Sequence, residues 1–235
     1  MSHRLVSGGC VGFLSVAAAT VLLWTVAAGA AVIYDNGAAP VNDALLSDPA
    51  ASFAQFVADN FVLQQGATTI TDIHWSGVYA FSNTPLPTDN FTIQFFADSG
   101  GLPTVSPFLT ISAGNLVNRT DTGNTCCGGF EQFSYTLFTS PIALTPGTTY
   151  WLSIFNDTTA DTDDNWFWSD QILGSGVGFI AVRDDQTSPW FTPGSARLMD
   201  FQLTNDVIGV PEPATLALLG IGLAGLGYSR RKHSQ

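Results

Sequence analysis

The chain has 235 residues, 46% of them apolar, with a formal net charge of −12 at pH 7. All 19 acidic residues lie between Asp35 and Glu212, against three of the seven basic ones (Arg119, Arg183 and Arg197), which gives that segment a net charge of −16. Such a surface excludes nucleic acid and anionic lipid as partners, and it attracts divalent cations or cationic matrix polymers.

Arg4 precedes an apolar stretch at 11–28 that ends in Ala28-Gly29-Ala30, the small-x-small form accepted by signal peptidase. Residues 1–30 therefore read as a cleaved Sec signal helix. Cys10 does not turn it into a lipoprotein signal, because the apolar region follows the cysteine and Ser7 stands where a leucine belongs.

Residues 31–207 are enough for one domain with a substantial core. Val32-Ile33-Tyr34 before Asp35-Asn36-Gly37 predicts a strand closed by a turn. Residues 43–51 read as loop, and 53–63 as one bent strand. The pattern at 69–81 predicts a strand with a bulge at Gly77, where the alternation of Ile73, Trp75, Val78 and Tyr79 breaks. Phe91, Ile93 and Phe95 alternate with Thr92 and Gln94, predicting a half-buried strand. A strand at 108–117, a polar loop at 118–129, and strands at 133–142 and 150–155 follow, with short ones at 165–169, 178–183 and 197–203. Nine or ten short strands without a helical period predict an all-β, antiparallel two-sheet sandwich, with jelly-roll order favoured by the number of strands and the long loops.

Candidate chemistry is sparse. His74 is the one histidine of the body, and no Gly-x-Ser-x-Gly elbow, His-Glu-x-x-His pair or phosphate-binding glycine loop is present. Glu131, beside Phe130 and Phe133, is the first carboxylate to consider for sugar hydrolysis. Asp157, Asp161, Asp163 and Asn165 place oxygen ligands at spacings that suit calcium, but Trp166 and Ile172 replace the glycine and glutamate an EF-hand requires. A calcium in a sandwich loop and a solvated acidic turn both remain open. Trp166 and Trp168 project on one face of an extended segment and, with Trp190, offer indoles on which sugar rings could stack, the alternative being burial in the core. Adjacent Cys126 and Cys127 allow a vicinal disulfide, a cross-link to another molecule, or free buried thiols; the vicinal ring is the expectation carried forward.

The chain ends in Pro211-Glu212-Pro213, an apolar run at 214–228, and Arg230-Arg231-Lys232. The prolines stop any helix arriving from upstream. As a helix the run reaches roughly 22 Å, a short transmembrane segment against a hydrocarbon core of about 30 Å. Arg4 before the first apolar segment and the basic triplet after the second both sit on the cytoplasmic side, so everything between is outside.

This tripartite tail resembles the PEP-CTERM sorting signal of exopolysaccharide-producing Gram-negative bacteria. The resemblance implies export through the Sec machinery, transient inner-membrane insertion, processing of residues 208–235 by an exosortase, and delivery to the cell surface or matrix. The body, through Asp59-Asn60-Phe61, Trp75-Ser76-Gly77-Val78-Tyr79 and the run Pro146-Gly147-Thr148-Thr149-Tyr150-Trp151, looks like a β-sandwich module common in secreted bacterial proteins of unassigned role. The expected function is that of a non-enzymatic surface or matrix protein associated with exopolysaccharide or biofilm. Two alternatives are a carbohydrate-binding module using Trp166 and Trp168, and a calcium-assisted glycoside hydrolase.

Overall fold

A computed structural model describes residues 31–36, 43–81, 85–161, 163–172, 180–194 and 196–205. The expected signal segment and the sorting tail, with Pro211, Glu212, Pro213, Arg230, Arg231, Lys232 and the span at 214–228, lie outside the described residues. Among the described residues every regular element is a strand, and no helix is long and apolar enough to cross a membrane.

The strands are β1 (Ala31–Asp35), β2 (Asp43–Leu46), β3 (Phe56–Val62), β4 (Thr69–Ala80), β5 (Phe91–Ala97), β6 (Leu109–Gly114), β7 (Asn118–Cys126), β8 (Phe130–Ala143), β9 (Thr149–Asn156), β10 (Asn165–Ile172), β11 (Ala181–Arg183), β12 (Arg197–Met199) and β13 (Phe201–Asn205). They form two antiparallel sheets. In the larger, β1, β13, β4 and β8 run side by side, β7 continues beyond β8, and β10 joins the far end of β4 carrying β2 and β12. The smaller has the order β11-β3-β9-β5-β6.

Alternation in the strands builds the core between the sheets. Ile73, Trp75 and Tyr79 of β4 meet Ile93 and Phe95 of β5, Leu152 and Ile154 of β9, and Phe201 and Leu203 of β13. Trp75 stacks on Tyr135, its direct cross-strand neighbour in β8, with ring centroids 5.5 Å apart. Residues of the opposite parity, Phe56, Ala58, Phe96, Trp151 and Phe155, form a second buried cluster with Trp190 on the other face of the smaller sheet. That cluster is why β5 is buried on both faces, whereas its sequence predicts a half-buried strand.

Several expectations are corrected. Residues 43–46 form β2, because β10 supplies a pairing edge from Phe167 to Asp170. The polar stretch at 118–126 is strand β7, paired with β8. Phe53 is 87% exposed and lies outside β3. Gly77 is no bulge: the β4–β8 register runs unbroken through Ser76, Gly77 and Val78, and the irregularity falls between Ile70 and Asp72.

Candidate functional site

The three tryptophans offered as a glycan platform, Trp166, Trp168 and Trp190, are buried, the alternative the sequence also allowed. Trp166 and Trp168 have no exposed surface. Trp166 meets Phe91 edge-on at 5.0 Å, and the Trp168 indole N–H donates to Asp200 O at 2.9 Å. Trp190 lies in the second cluster, its indole N–H donating to Thr104 O at 3.2 Å and its ring 4.2 Å beneath the Arg183 guanidinium. A ring face packed on carbon cannot stack on sugar, so the sandwich takes these indoles as core.

Backbone amides, one of its own and one of the connection after β4, take up carboxylates of the acidic loop. Asp157 Oδ1 accepts from the Thr159 amide at 3.0 Å, and Asp161 Oδ2 accepts from the Leu86 amide at 3.0 Å. Hydrogen bonding with Asp161 pushes the Asp163 carboxyl up, and Asn165 opens β10 opposite Ala80. Among the described residues no group of three or more His, Cys, Asp or Glu side chains is placed to hold a metal ion. Glu131 is exposed on β8 rather than set against an apolar wall. Cys126 and Cys127 are joined in a vicinal disulfide at the β7–β8 turn, with Cys127 in the left-handed region at φ 53° and Cys126 Sγ 3.5 Å from Asp43 O.

The sequence does not single out the polar cluster at the end of the sandwich. Tyr79, the last inward residue of β4, donates to Asp89 Oδ1. Arg119 of β7 reaches the same oxygen at 3.0 Å and gives a second bond to Leu86 O at 2.7 Å. Asn156, ending β9, donates to Tyr79 Oη at 2.7 Å and accepts from the Asn90 amide, also at 2.7 Å. The Arg119 guanidinium stands over the rings of Tyr79 and Phe133 at 5.6 and 5.4 Å. Burial pushes the Asp89 carboxyl up, and the bonds from Tyr79, Arg119 and Asn156 pull against it. Burial also lowers the Arg119 guanidinium, but Asp89, Tyr79 and Tyr135 outweigh it and hold the cation charged.

Tyr79, Asp89 and Asn156 line a cavity of about 310 Å³ together with Thr158, Thr159 and Asp161. Its lining sets hydroxyl, amide and carboxylate groups held by neighbours beside a larger share of apolar surface. The one available clue in the sequence was indirect: three cations in a segment of net −16 must each meet an acceptor or a ring. Arg197 does so by bridging Asp43 at 3.0 Å and the buried Asp170. Arg183, 1% exposed, lies among Phe56, Phe96 and Trp190 and donates to Val105 O, Gln186 O and Gln94 Oε1.

A second, more apolar concavity of about 600 Å³ opens between β6 of the smaller sheet and β8 of the larger.

Residues 209–232 match the family model described as the PEP-CTERM protein-sorting motif. The chain carries a PEP-CTERM sorting signal. The signal marks a protein processed by an exosortase during export, passing through a membrane-inserted stage and ending at the cell surface or outside it. No curated protein matches the chain. Among solved structures the sandwich is similar to "the cysteine protease and lectin-like domains of Cwp84, a surface layer associated protein of Clostridium difficile", with a TM-score of 0.41 and 7% identity over 64% of this chain and 32% of that one. The chain thus spans about a third of that structure's length.

Proposed function

We propose that this PEP-CTERM protein is a non-enzymatic component of the cell surface or extracellular matrix, associated with exopolysaccharide or biofilm. In this reading residues 1–30 are a Sec signal, 31–207 the working domain and 208–235 the sorting tail, spanning the membrane at 214–228. The observation that carries it is the motif match at 209–232, immediately after the last strand of the folded sandwich. The strand order β1-β13-β4-β8 over β3-β9-β5-β6 supports a jelly roll: taken in chain order, these are the first, eighth, third and sixth strands over the second, seventh, fourth and fifth. Two groups able to move a proton, His74 and Asp89, are tied into the fold, which supports a binding or structural role. His74 faces Thr136 Oγ1 and Thr204 Oγ1 at 3.0 and 3.2 Å, and Asp89 is engaged by Tyr79, Arg119 and Asn156.

The test is the intact mass of the protein recovered from the host's medium and envelope. The wild type is expected to have lost both ends, whereas Pro211→Ala combined with Glu212→Ala keeps the tail and stays with the membrane. An unchanged mature mass and unchanged release in the double variant would overturn the sorting assignment.

A further inference from the structure

The disulfide at the β7–β8 turn joins consecutive residues, so it ties no two parts of the fold together. A disulfide stabilises chiefly by restraining the unfolded chain, and the effect grows with the loop it closes. Here that loop is as short as a loop can be, and stapling does not explain the bond. The turn is held by its backbone instead: Cys126, the last residue of β7, is in register with Phe130, and its carbonyl accepts from the Gly129 amide at 3.0 Å.

The two sulfurs are placed unequally. Cys126 is 5% exposed and fixed in the ladder, with Sγ 3.5 Å from Asp43 O of β2. That carbonyl suits a thiol, which has a proton to give, whereas a disulfide sulfur has none. Cys127 lies beyond the ladder, is partly exposed, and has a left-handed backbone at φ 53°, followed by Gly128 at 97° and Gly129 at 101°. Left-handed backbone is costly for a residue with a Cβ and persists where something holds it. The ring is one such hold. A Cβ placed on Gly129 would meet nothing within 4 Å, so the outside of the turn is open to an approaching molecule.

Residues 31–207 contain no other cysteine, so a thiol that reacts here comes from outside the domain. We propose that the β7–β8 turn is a thiol-exchange site at which a second, thiol-bearing molecule becomes attached to Cys127. The incoming thiolate attacks Cys127 Sγ in line with the existing bond. A disulfide forms between Cys127 and the incoming sulfur, the Cys126–Cys127 bond breaks, and its electron pair leaves on Cys126 Sγ. Cys126 then takes a proton from water and donates it to Asp43 O. The exchange turns one thiol into another and needs no oxidant. Attachment is reversible, because Cys126 stays in its ladder position as the thiol that closes the ring again and releases the partner.

The exported protein is treated with 2-mercaptoethanol, quenched with N-ethylmaleimide, and read by intact mass and peptide mapping. The expected product carries mercaptoethanol on Cys127 and maleimide on Cys126. In single variants, Cys127 of Cys126→Ser is expected to react with N-ethylmaleimide about tenfold faster than Cys126 of Cys127→Ser. Full reduction should leave the melting temperature almost unchanged. Mercaptoethanol found on Cys126, equal maleimide rates in the two variants, or loss of the folded state on reduction overturns the site; mapping of the wild-type adduct decides even where a variant fails to fold. Protein taken from the host's envelope and medium under acid quench separates the sources of thiol. A small thiol adds to the intact mass, whereas a protein cysteine gives a heavier band that dithiothreitol removes. A closed ring throughout both fractions would overturn the turn's use as an attachment point.

Discussion

A Cβ placed on Gly77 would lie 2.6 Å from Cε2 and Cζ2 of Trp166, closer than any side chain can approach a rigid indole. Glycine at this point of β4 is the space into which the Trp166 ring packs. Gly77→Ala is therefore expected to overpack the core and destabilise the domain by about 3 kcal/mol. A urea-unfolding midpoint equal to wild type would show that the strands separate without cost and that the close approach is unimportant.

Asp59 is buried between the sheets, accepting from the Met199 amide at 2.8 Å, the Asn60 amide at 2.7 Å and Asn36 Nδ2 at 2.7 Å. Burial outweighs these bonds and raises its pKa from 3.8 to about 7. Burial likewise raises Asp170 to about 6, against its bond from Arg197. A carboxyl whose pKa is higher folded than unfolded favours the native state at low pH. The stabilisation is complete below the unfolded value of 3.8 and is lost as pH rises toward about 7. For Asp59 the difference is on the order of 4 kcal/mol. The urea midpoint is expected to climb as pH falls from about 8 to about 5, and Asp59→Asn should remove most of that slope. A midpoint independent of pH in the wild type would refute the assignment.

Arg183 fastens two connections, through Val105 O on one and Gln186 O on the other, while its charge rests on Trp190. Burial lowers its pKa to about 10, so the guanidinium remains charged at neutral pH. Arg183→Ala is expected to cost about 3 kcal/mol, by leaving buried acceptors unmet and a cavity among the rings. Hydrogen exchange should then speed up in the connections around Val105 and Gln186 before it does in β4 or β8. Uniform acceleration across the domain would show that the residue supports the whole sandwich instead.

Much of the architecture can be read from alternation, and its failures have physical causes. Ile73 and Trp75 mark one face of β4, and Leu152 and Ile154 mark one face of β9; both pairs lie in the core as the pattern requires. Period two says that Trp166 and Trp168 share a side, but it cannot say which side a second sheet covers. The space at Gly77, across the β4–β10 ladder, decides that. β7 reads as loop because it is held by its ladder to β8 and not by apolar residues of its own. The polar cluster of Tyr79, Asp89, Arg119 and Asn156 draws on four separate strands or connections, so local spacing carries no trace of it.

The three arginines also govern how the exported domain meets secreted proteases. Arg119 lies in β7, Arg183 in β11 and Arg197 in β12, each gripped by acids, carbonyls or rings, and the sequence places no lysine before Lys232. Trypsin-like enzymes must draw a basic side chain, with its backbone extended, into a narrow specificity pocket, and the folded sandwich offers them none. Cleavage by that class of enzyme has to wait for strands to come apart, so the domain's lifetime outside the cell follows the rarity of such opening.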